Sequence, residues 1–340
     1  MPQWKVDIAP QLLEQSNDSN LNAHHWAVLG KFERDKEGRS FWLVSVKRQF
    51  QYDSSSHNPW QEIKASEISS TAVYSGSPGE SSLLTEREIG FVKHNTDVVL
   101  TGRVRTPFGS QVTQYQCQFV VEGHFSKTLK IVGERKWVTD LGGITISHPL
   151  AFNECPMDYG LAMGGDERNK IGVGIDTDDR KMTESVVPRI FYPNQDWSLN
   201  HKGIKTAGFG PISPFFQGRA QYAGTYDEEW QEERHPLLPS DFDHRFYQSA
   251  PSDQQCKGHL SGNELVRLVG FASEGELQFV VPSVRLQSNI QTTDLTTSLS
   301  MFINDVNFDM NKKQVSIVYQ GQIQLDGKEH TLKDTMITVV

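Results

Sequence analysis

Between Gln114 and Val121 the side chains alternate with a period of two. Tyr115, Cys117, Phe119 and Val121 fall on one face, and Gln114, Gln116 and Gln118 on the other. A helix cannot use that pattern, because its apolar stripe recurs every three or four residues. A strand lying with one face on a core can. Pro107-Phe108-Gly109-Ser110 supplies a turn before it. Glu122-Gly123-His124-Phe125-Ser126 supplies one after it, and Leu129 and Ile131 face inward on the returning strand, with Trp137 closing the unit.

The same signal recurs elsewhere. Phe41 to Tyr52 reads as a strand buried at one end, with Val44, Val46, Arg48 and Phe50 forming no clean apolar face. Leu277, Phe279 and Val281 alternate behind a turn at Ser273-Glu274-Gly275, and Leu299, Met301 and Ile303 alternate again. Val315, Ile317, Tyr319, Ile323 and Leu325 share one face of a long strand, and Asp326-Gly327 is a two-residue hairpin signal. The chain is therefore expected to be mainly β, with two sheet-rich, sandwich-like regions. Residues 1–20 read as a mobile polar leader whose first residues Trp4 and Ile8 could pin, 21–140 as an N-terminal β-rich region, 141–255 as a loop-rich region and 256–340 as a C-terminal β-rich region. From Leu141 to Ser198 glycines and charges dominate and periodicity vanishes, which predicts long loops with short elements only.

A block from Ala207 to Gln255 joins the two sheet-rich regions. Turn formers, aromatics and charges alternate there too closely for a strand or a long helix. Thr225 and Glu228 have the spacing of a reciprocal helix cap, and Asp227, Glu228 and Glu229 suit the positive end of a helix dipole. That helix must be short, since the residue before Pro236 avoids the helical region. Ser240 with Asp243 can start a second short helix carrying Phe242, Phe246 and Tyr247. Most of these aromatics are expected to pack between two sheets. Arg219, Tyr226, Asp227, Trp230, Asp241 and Phe242 are the candidates for a protein-binding surface or its supports. Arg219 is expected to bridge a carboxylate or backbone carbonyls within the block, shielded by Tyr222, Tyr226 and Trp230.

Three segments carry a family resemblance. The central block, with GFGPI, GRAQYAGTYDEEW and HPLLPSDFDHRFYQSAPSDQQ, resembles the central signature of the bacterial family known as domain of unknown function 2169. TDVVLTGRVRTPFGS and KTLKIVGERKW, from Thr96 to Trp137, resemble its N-terminal signature, and Gly258 to Pro282 its C-terminal one. His148 to Glu154 departs from the family pattern by lacking an arginine and the Gly-Gly that follows it. The resemblance implies an adaptor or chaperone of type VI secretion that loads a toxic effector onto the spike.

Composition bounds the alternatives. The net charge of −9 argues against nucleic acid or an anionic membrane as partner, since both require clustered Lys and Arg. No apolar run approaches the ~20 residues that span a bilayer, and the N-terminus does not read as a signal peptide, so a cytoplasmic protein is expected. Cys117, Cys155 and Cys256 are odd in number and widely spaced, against a disulfide framework or a cysteine zinc site.

No nucleophile elbow, phosphate loop or zinc-protease helix motif occurs. Asp305, Asn307, Asp309 and Asn311 mimic half a calcium loop, but Met310 stands where glycine is needed and Ser316 where the bidentate glutamate belongs. Asp176, Asp178 and Asp179 read as a solvated acidic loop, and His24-His25 point to opposite faces. Asp227, Asp241 and Glu264 would need to fold together to act as glycosidase carboxylates. The expectation is thus a non-enzymatic adaptor without metal or cofactor, binding an effector and a spike protein. A carbohydrate-binding or carbohydrate-acting β-sandwich and a purely structural subunit are the alternatives.

Overall fold

The computed structural model describes residues 5–15, 23–140, 143–174, 186–196 and 203–340. Its longer strands, numbered in chain order, begin with β1 (Lys5–Ile8), β2 (Ala27–Arg34), β3 (Ser40–Tyr52), β4 (Asp97–Thr101), β5 (Gln114–Val121) and β6 (Phe125–Val132). After the central block come β7 (Leu265–Ala272), β8 (Gly275–Val280), β9 (Leu286–Thr292), β10 (Thr296–Ser300), β11 (Phe302–Asp309), β12 (Gln314–Gln324) and β13 (Leu332–Val339). The protein is mainly β.

The strands sort into sheets without regard to the sequence division. A six-stranded sheet runs β2-β3-β12-β11-β4, with Trp60–Ile63 paired to the far end of β3. A five-stranded sheet places Ile190–Phe191 beside β6-β5-β7-β8, and a four-stranded sheet runs β1-β13-β9-β10. N-terminal strands pair with C-terminal ones in all three sheets, β3 with β12 and β4 with β11, β5 with β7, and β1 with β13, so strands from the two expected β-rich regions share sheets. The sheets stack face to face through aromatic contacts. Phe50 on β3 meets Phe279 on β8 at 5.6 Å between ring centroids, and Phe119 on β5 meets Phe308 on β11 at 5.6 Å. Burying rings of this size contributes roughly 2 kcal/mol each, and it makes the arrangement a sandwich.

Strand β3 is buried from Trp42 to Arg48, on both faces. Trp42, Val44, Val46 and Phe50 do share one face, toward the sandwich core, while Leu43 joins Ile68, Ile89 and Phe91 on the other. The charge that obscured this pattern is neutralised: Arg48 Nε lies 2.7 Å from Glu62 Oε1. Gly30 permits the tight approach of β1, since a Cβ there would stand 2.2 Å from the Trp42 ring and 2.7 Å from Val6. Trp42 Nε1 then donates to Thr335 Oγ1 at 2.9 Å, tying the six-stranded sheet to the four-stranded one.

Several sequence expectations change. Lys5–Ile8 is no loose leader: it pairs in parallel with β13, and Pro10–Gln15 is helical. Trp4 and residues 16–20 lie outside the described residues, as do Asp176, Asp178 and Asp179. Leu299 and Ile303 belong to two strands, β10 and β11, which lie in different sheets, with Met301 between them and its N–H bonded to Leu286 O on β9. Asp326 and Gly327 both adopt positive φ, 47° and 77°, as a two-residue turn requires. The strands that follow nevertheless do not pair, since β12 and β13 lie in different sheets. The calcium-like residues lie on β11 and the turn after it, where Asp309 accepts from the Asn311 and Lys312 amides. Among the described residues no cluster of three His, Cys, Asp or Glu could hold a metal, and all three cysteines are free and buried.

Candidate protein-binding cleft

The central block is fastened at both ends. Phe209 packs between Phe119 and Phe271 and its carbonyl accepts from Leu100 N, while Gln254 Nε2 donates to Val98 O and Phe209 O at 2.7 Å each. Ile212 N donates to Ser249 O, closing the block on itself. Its middle then reaches the β2–β3 turn. Lys36 Nζ donates to Ser240 O and Phe242 O, and Arg234 donates to Lys36 O and Leu238 O.

Between the block and the six-stranded sheet this leaves a cleft of about 450 Å³. Phe91, Leu237, Phe242 and Tyr247 form its apolar walls and Tyr226 stands on its lining. The rings support one another: Phe242 lies 5.6 Å from Phe246 and 5.4 Å from Tyr247, and Phe91 5.8 Å from Tyr247. Burial pushes the Tyr247 phenol up to about 12, so it stays neutral at physiological pH.

The floor is polar. Arg219 is 4% exposed. Its Nη1 lies 2.5 Å from Glu86 Oε2 and 2.9 Å from Ile212 O, its Nε donates to Phe246 O at 2.9 Å, and the guanidinium stacks 5.1 Å from the Phe246 ring. The two carbonyls belong to the block as expected, but the carboxylate comes from outside it. The shielding ring is Phe246 rather than Tyr222, Tyr226 or Trp230. Burial would raise the Glu86 pKa, yet Arg219 and Lys93 outweigh that and hold it below the usual carboxylate range.

Beneath them Lys93 Nζ lies 2.8 Å from Asp97 Oδ2 and 2.5 Å from Asp305 Oδ1. Asp97 also accepts from Gln248 Nε2, Ser249 N and Ser249 Oγ, so the floor locks the block to β4 and β11. Burial would lower the Lys93 pKa, but the two carboxylates raise it beyond its ordinary value. Asp305 is pushed up to about 6 by burial, against the pull of Lys93 and with repulsion from Asp97. Gln320, 1% exposed, gives its Nε2 to Glu88 O while its Oε1 has no partner. The cleft therefore offers apolar walls over a floor whose charges are paired, which suits a group with an apolar body.

The nominated residues divide between two surfaces. Arg219, Tyr226 and Phe242 line the cleft, while Asp227, Trp230 and Asp241 line a separate depression of about 520 Å³. Their roles are partly structural. Asp227, not Thr225, caps the Glu228–Glu233 helix, accepting from Trp230 N at 2.9 Å. Thr225 instead donates its amide and hydroxyl to Asp241. Trp230 gives its indole N–H to Leu237 O and meets Tyr226 edge to face at 4.7 Å, and Tyr226 remains 54% exposed. The second helix is a 3₁₀ turn, His244–Tyr247, capped by Asp243, so Phe242 precedes it. Glu264 caps the Ser261 and Gly262 amides and does not line the depression with Asp227 and Asp241. The sequence reading missed Glu86, Phe91, Lys93, Asp97, Asn304 and Gln320. The polar ones carry no local signal beyond polarity beside apolar runs, which surface residues share, and Phe91 stands in a run too short to show a period.

Comparison with known proteins gives a match to the model of a family described as an uncharacterized protein conserved in bacteria, domain of unknown function 2169, over residues 37–320. No curated protein and no solved structure matches.

Proposed function

The chain belongs to the domain of unknown function 2169 family, and on that premise we propose that it is a non-enzymatic adaptor that binds a type VI secretion effector and helps load it onto the spike. The observation that carries this reading is the cleft: exposed Tyr226 and apolar walls stand on a scaffold fixed by buried ion pairs. Fixed apolar walls with an exposed aromatic at the lining favour capture of a partner side chain over chemistry. The adaptor would work in the cytoplasm, without cofactor, on protein partners alone. No helix among the described residues is long and apolar enough to cross a membrane.

Deleting the gene tests the reading. Tube protein in the culture medium should persist, while the toxin encoded beside it should disappear or fall sharply. Loss of both would favour a structural subunit, and persistence of both would end the adaptor reading. Delivery should also track the dose of the protein, because a bridging molecule does not turn over.

One observation favours a second reading. The depression beside the cleft combines Trp230 with Asp227 and Asp241, a pairing of aromatic and carboxylate that suits sugar binding. Both carboxylates already serve backbone amides, which weakens it. Saturable binding of a purified glycan, lost in Trp230→Ala, would support this alternative.

A further inference from the structure

Strand β10 ends the four-stranded sheet, and among the described residues its outer side pairs with no other strand. Its pairing with β9 fixes which groups face outward. Met301 N donates to Leu286 O and Thr292 N to Leu295 O, so Leu295, Thr297, Leu299 and Met301 direct their amides and carbonyls toward β9. In an antiparallel ladder the residues between them turn theirs the other way. Thr296, Ser298 and Ser300 therefore present backbone donors and acceptors to the open side, and all three are exposed.

The other ends of the three sheets are closed or charged. The central block covers β4, where Phe209 O accepts from Leu100 N and Gln254 Nε2 donates to Val98 O. Gln278 O on β8 accepts from the Trp60 indole at 2.7 Å. Strand β1 carries Lys5 and Asp7, and β2 carries Lys31, Glu33 and Arg34. Ile190–Phe191 is two residues long, and Ala162 bridges it. Covers, charges and short edges are the devices that keep a sheet from adding strands. Strand β10 reads Thr-Thr-Ser-Leu-Ser, with no charge, no proline and no bulge in its register with β9.

We infer that β10 pairs with β10 of a second copy, antiparallel about a two-fold axis through Ser298, joining two four-stranded sheets into one continuous sheet. The inference stands apart from the adaptor reading. About that axis Thr296 falls opposite Ser300 of the second copy, and Ser298 opposite its own equivalent. Every outward amide and carbonyl then meets its complement, and hydroxyls face hydroxyls across the pair. Leu295, 58% exposed just before β10, comes opposite Met301 of the second copy. Charge favours the same place. The chain carries −9 overall, so two copies repel wherever acidic surface meets acidic surface. Strands β9 and β10 together hold no charged side chain. Asp294, the charge nearest β10 along the chain, lies at opposite ends of the pair, roughly 25 Å from its equivalent and beyond the ~8 Å Debye length.

Two further grounds favour a second copy over a strand of another protein. Strand addition gains affinity from the main chain and specificity from pockets beside the edge. Neither the cleft nor the depression touches β10, and its outward residues are Thr and Ser, which leave no pocket to select a foreign side chain. A second β10 also arrives extended and ordered, whereas a loose segment loses conformational freedom on pairing.

Ser298 gives clean variants, because its amide faces away from β9 and proline there breaks no bond of the ladder. Sedimentation of the full-length protein at up to ~100 µM should show a pair at twice 38.4 kDa. Ser298→Pro should weaken that association at least 10-fold while melting within ~2 °C of the wild type. Ser298→Lys and Ser298→Glu each set like charges face to face on the axis. Each alone should stay monomeric, and mixing the two should restore the pair. That rescue needs Ser298 to meet its own equivalent, which a foreign strand does not provide, and it keeps the test valid if Ser298→Pro fails to fold. A wild type that remains monomeric at ~100 µM would overturn the inference and leave β10 to a foreign strand or to solvent. Association untouched by all three variants would place the contact elsewhere and overturn it too. Dissociation without rescue on mixing would overturn the two-fold pairing about Ser298.

Discussion

Arg219 and Glu86, 133 residues apart in the chain, meet at 2.5 Å in the floor of the cleft. The arginine also holds two carbonyls of the central block, so one side chain fixes the block to the chain segment beneath it. Removing it would leave a nearly buried carboxylate and two buried acceptors without their donor. Arg219→Ala should therefore cost ~3–5 kcal/mol, and Arg219→Lys should recover only part, because an ammonium lacks the planar fork. Chemical denaturation of the three proteins checks this. An unaltered midpoint for Arg219→Ala would remove the residue from the scaffold.

Asp305 gives the protein a pH dependence of defined sign. Its pKa rises from 3.8 to about 6 on folding, first through burial and then through Asp97. A carboxyl raised in this way contributes stability that is complete below pH ~4 and is lost as pH rises through about 6. The stability of wild type relative to Asp305→Asn should therefore fall between pH 4 and pH 7. Urea titrations of both proteins at those two values measure it, and a difference independent of pH would contradict the raised pKa.

Lys93→Met is expected to be far more damaging than Asp305→Asn, by ~3–5 kcal/mol, since it abandons two buried carboxylates rather than one cation's second partner. Melting curves at pH 7 compare them directly. A milder effect from Lys93→Met would mean that water reaches the cluster.

Tyr226 and Phe242 should separate binding from folding within the cleft. Phe242, 3% exposed, is walled in by rings, and Phe242→Ala should cost ~3–5 kcal/mol. Tyr226 is 54% exposed, and Tyr226→Ala should lower stability by no more than ~1 kcal/mol while weakening effector binding tenfold or more. Calorimetric titration with the neighbouring toxin, beside thermal melts, reads both effects.

The cap of the Glu228–Glu233 helix offers a local test. Asp227→Ala removes the acceptor for Trp230 N and should cost ~1 kcal/mol, whereas Thr225→Ala breaks only the exposed hydroxyl bond to Asp241, leaves the amide bond in place, and should stay within ~0.5 kcal/mol. Equal effects would restore Thr225 as the cap.

Several strands and turns are written in the sequence itself. Alternation over Gln114–Val121 and Gln314–Gln324, and the positive-φ demands of Asp326-Gly327, are local: each depends on residues within one element. It determined the short helix too, since Asp227, Glu228 and Pro236 act within a few residues. Which strands became neighbours was decided only in three dimensions. The pairing of β3 with β12, and of β5 with β7, is fixed by burying both faces of a sandwich, a condition on the whole chain. The same holds for the cleft floor. Lys93 and Asp305 are 212 residues apart, and nothing near either one distinguishes it from a solvated surface charge. Burial made them partners, because a charge removed from water must find its opposite and the chain brings only certain ones within reach.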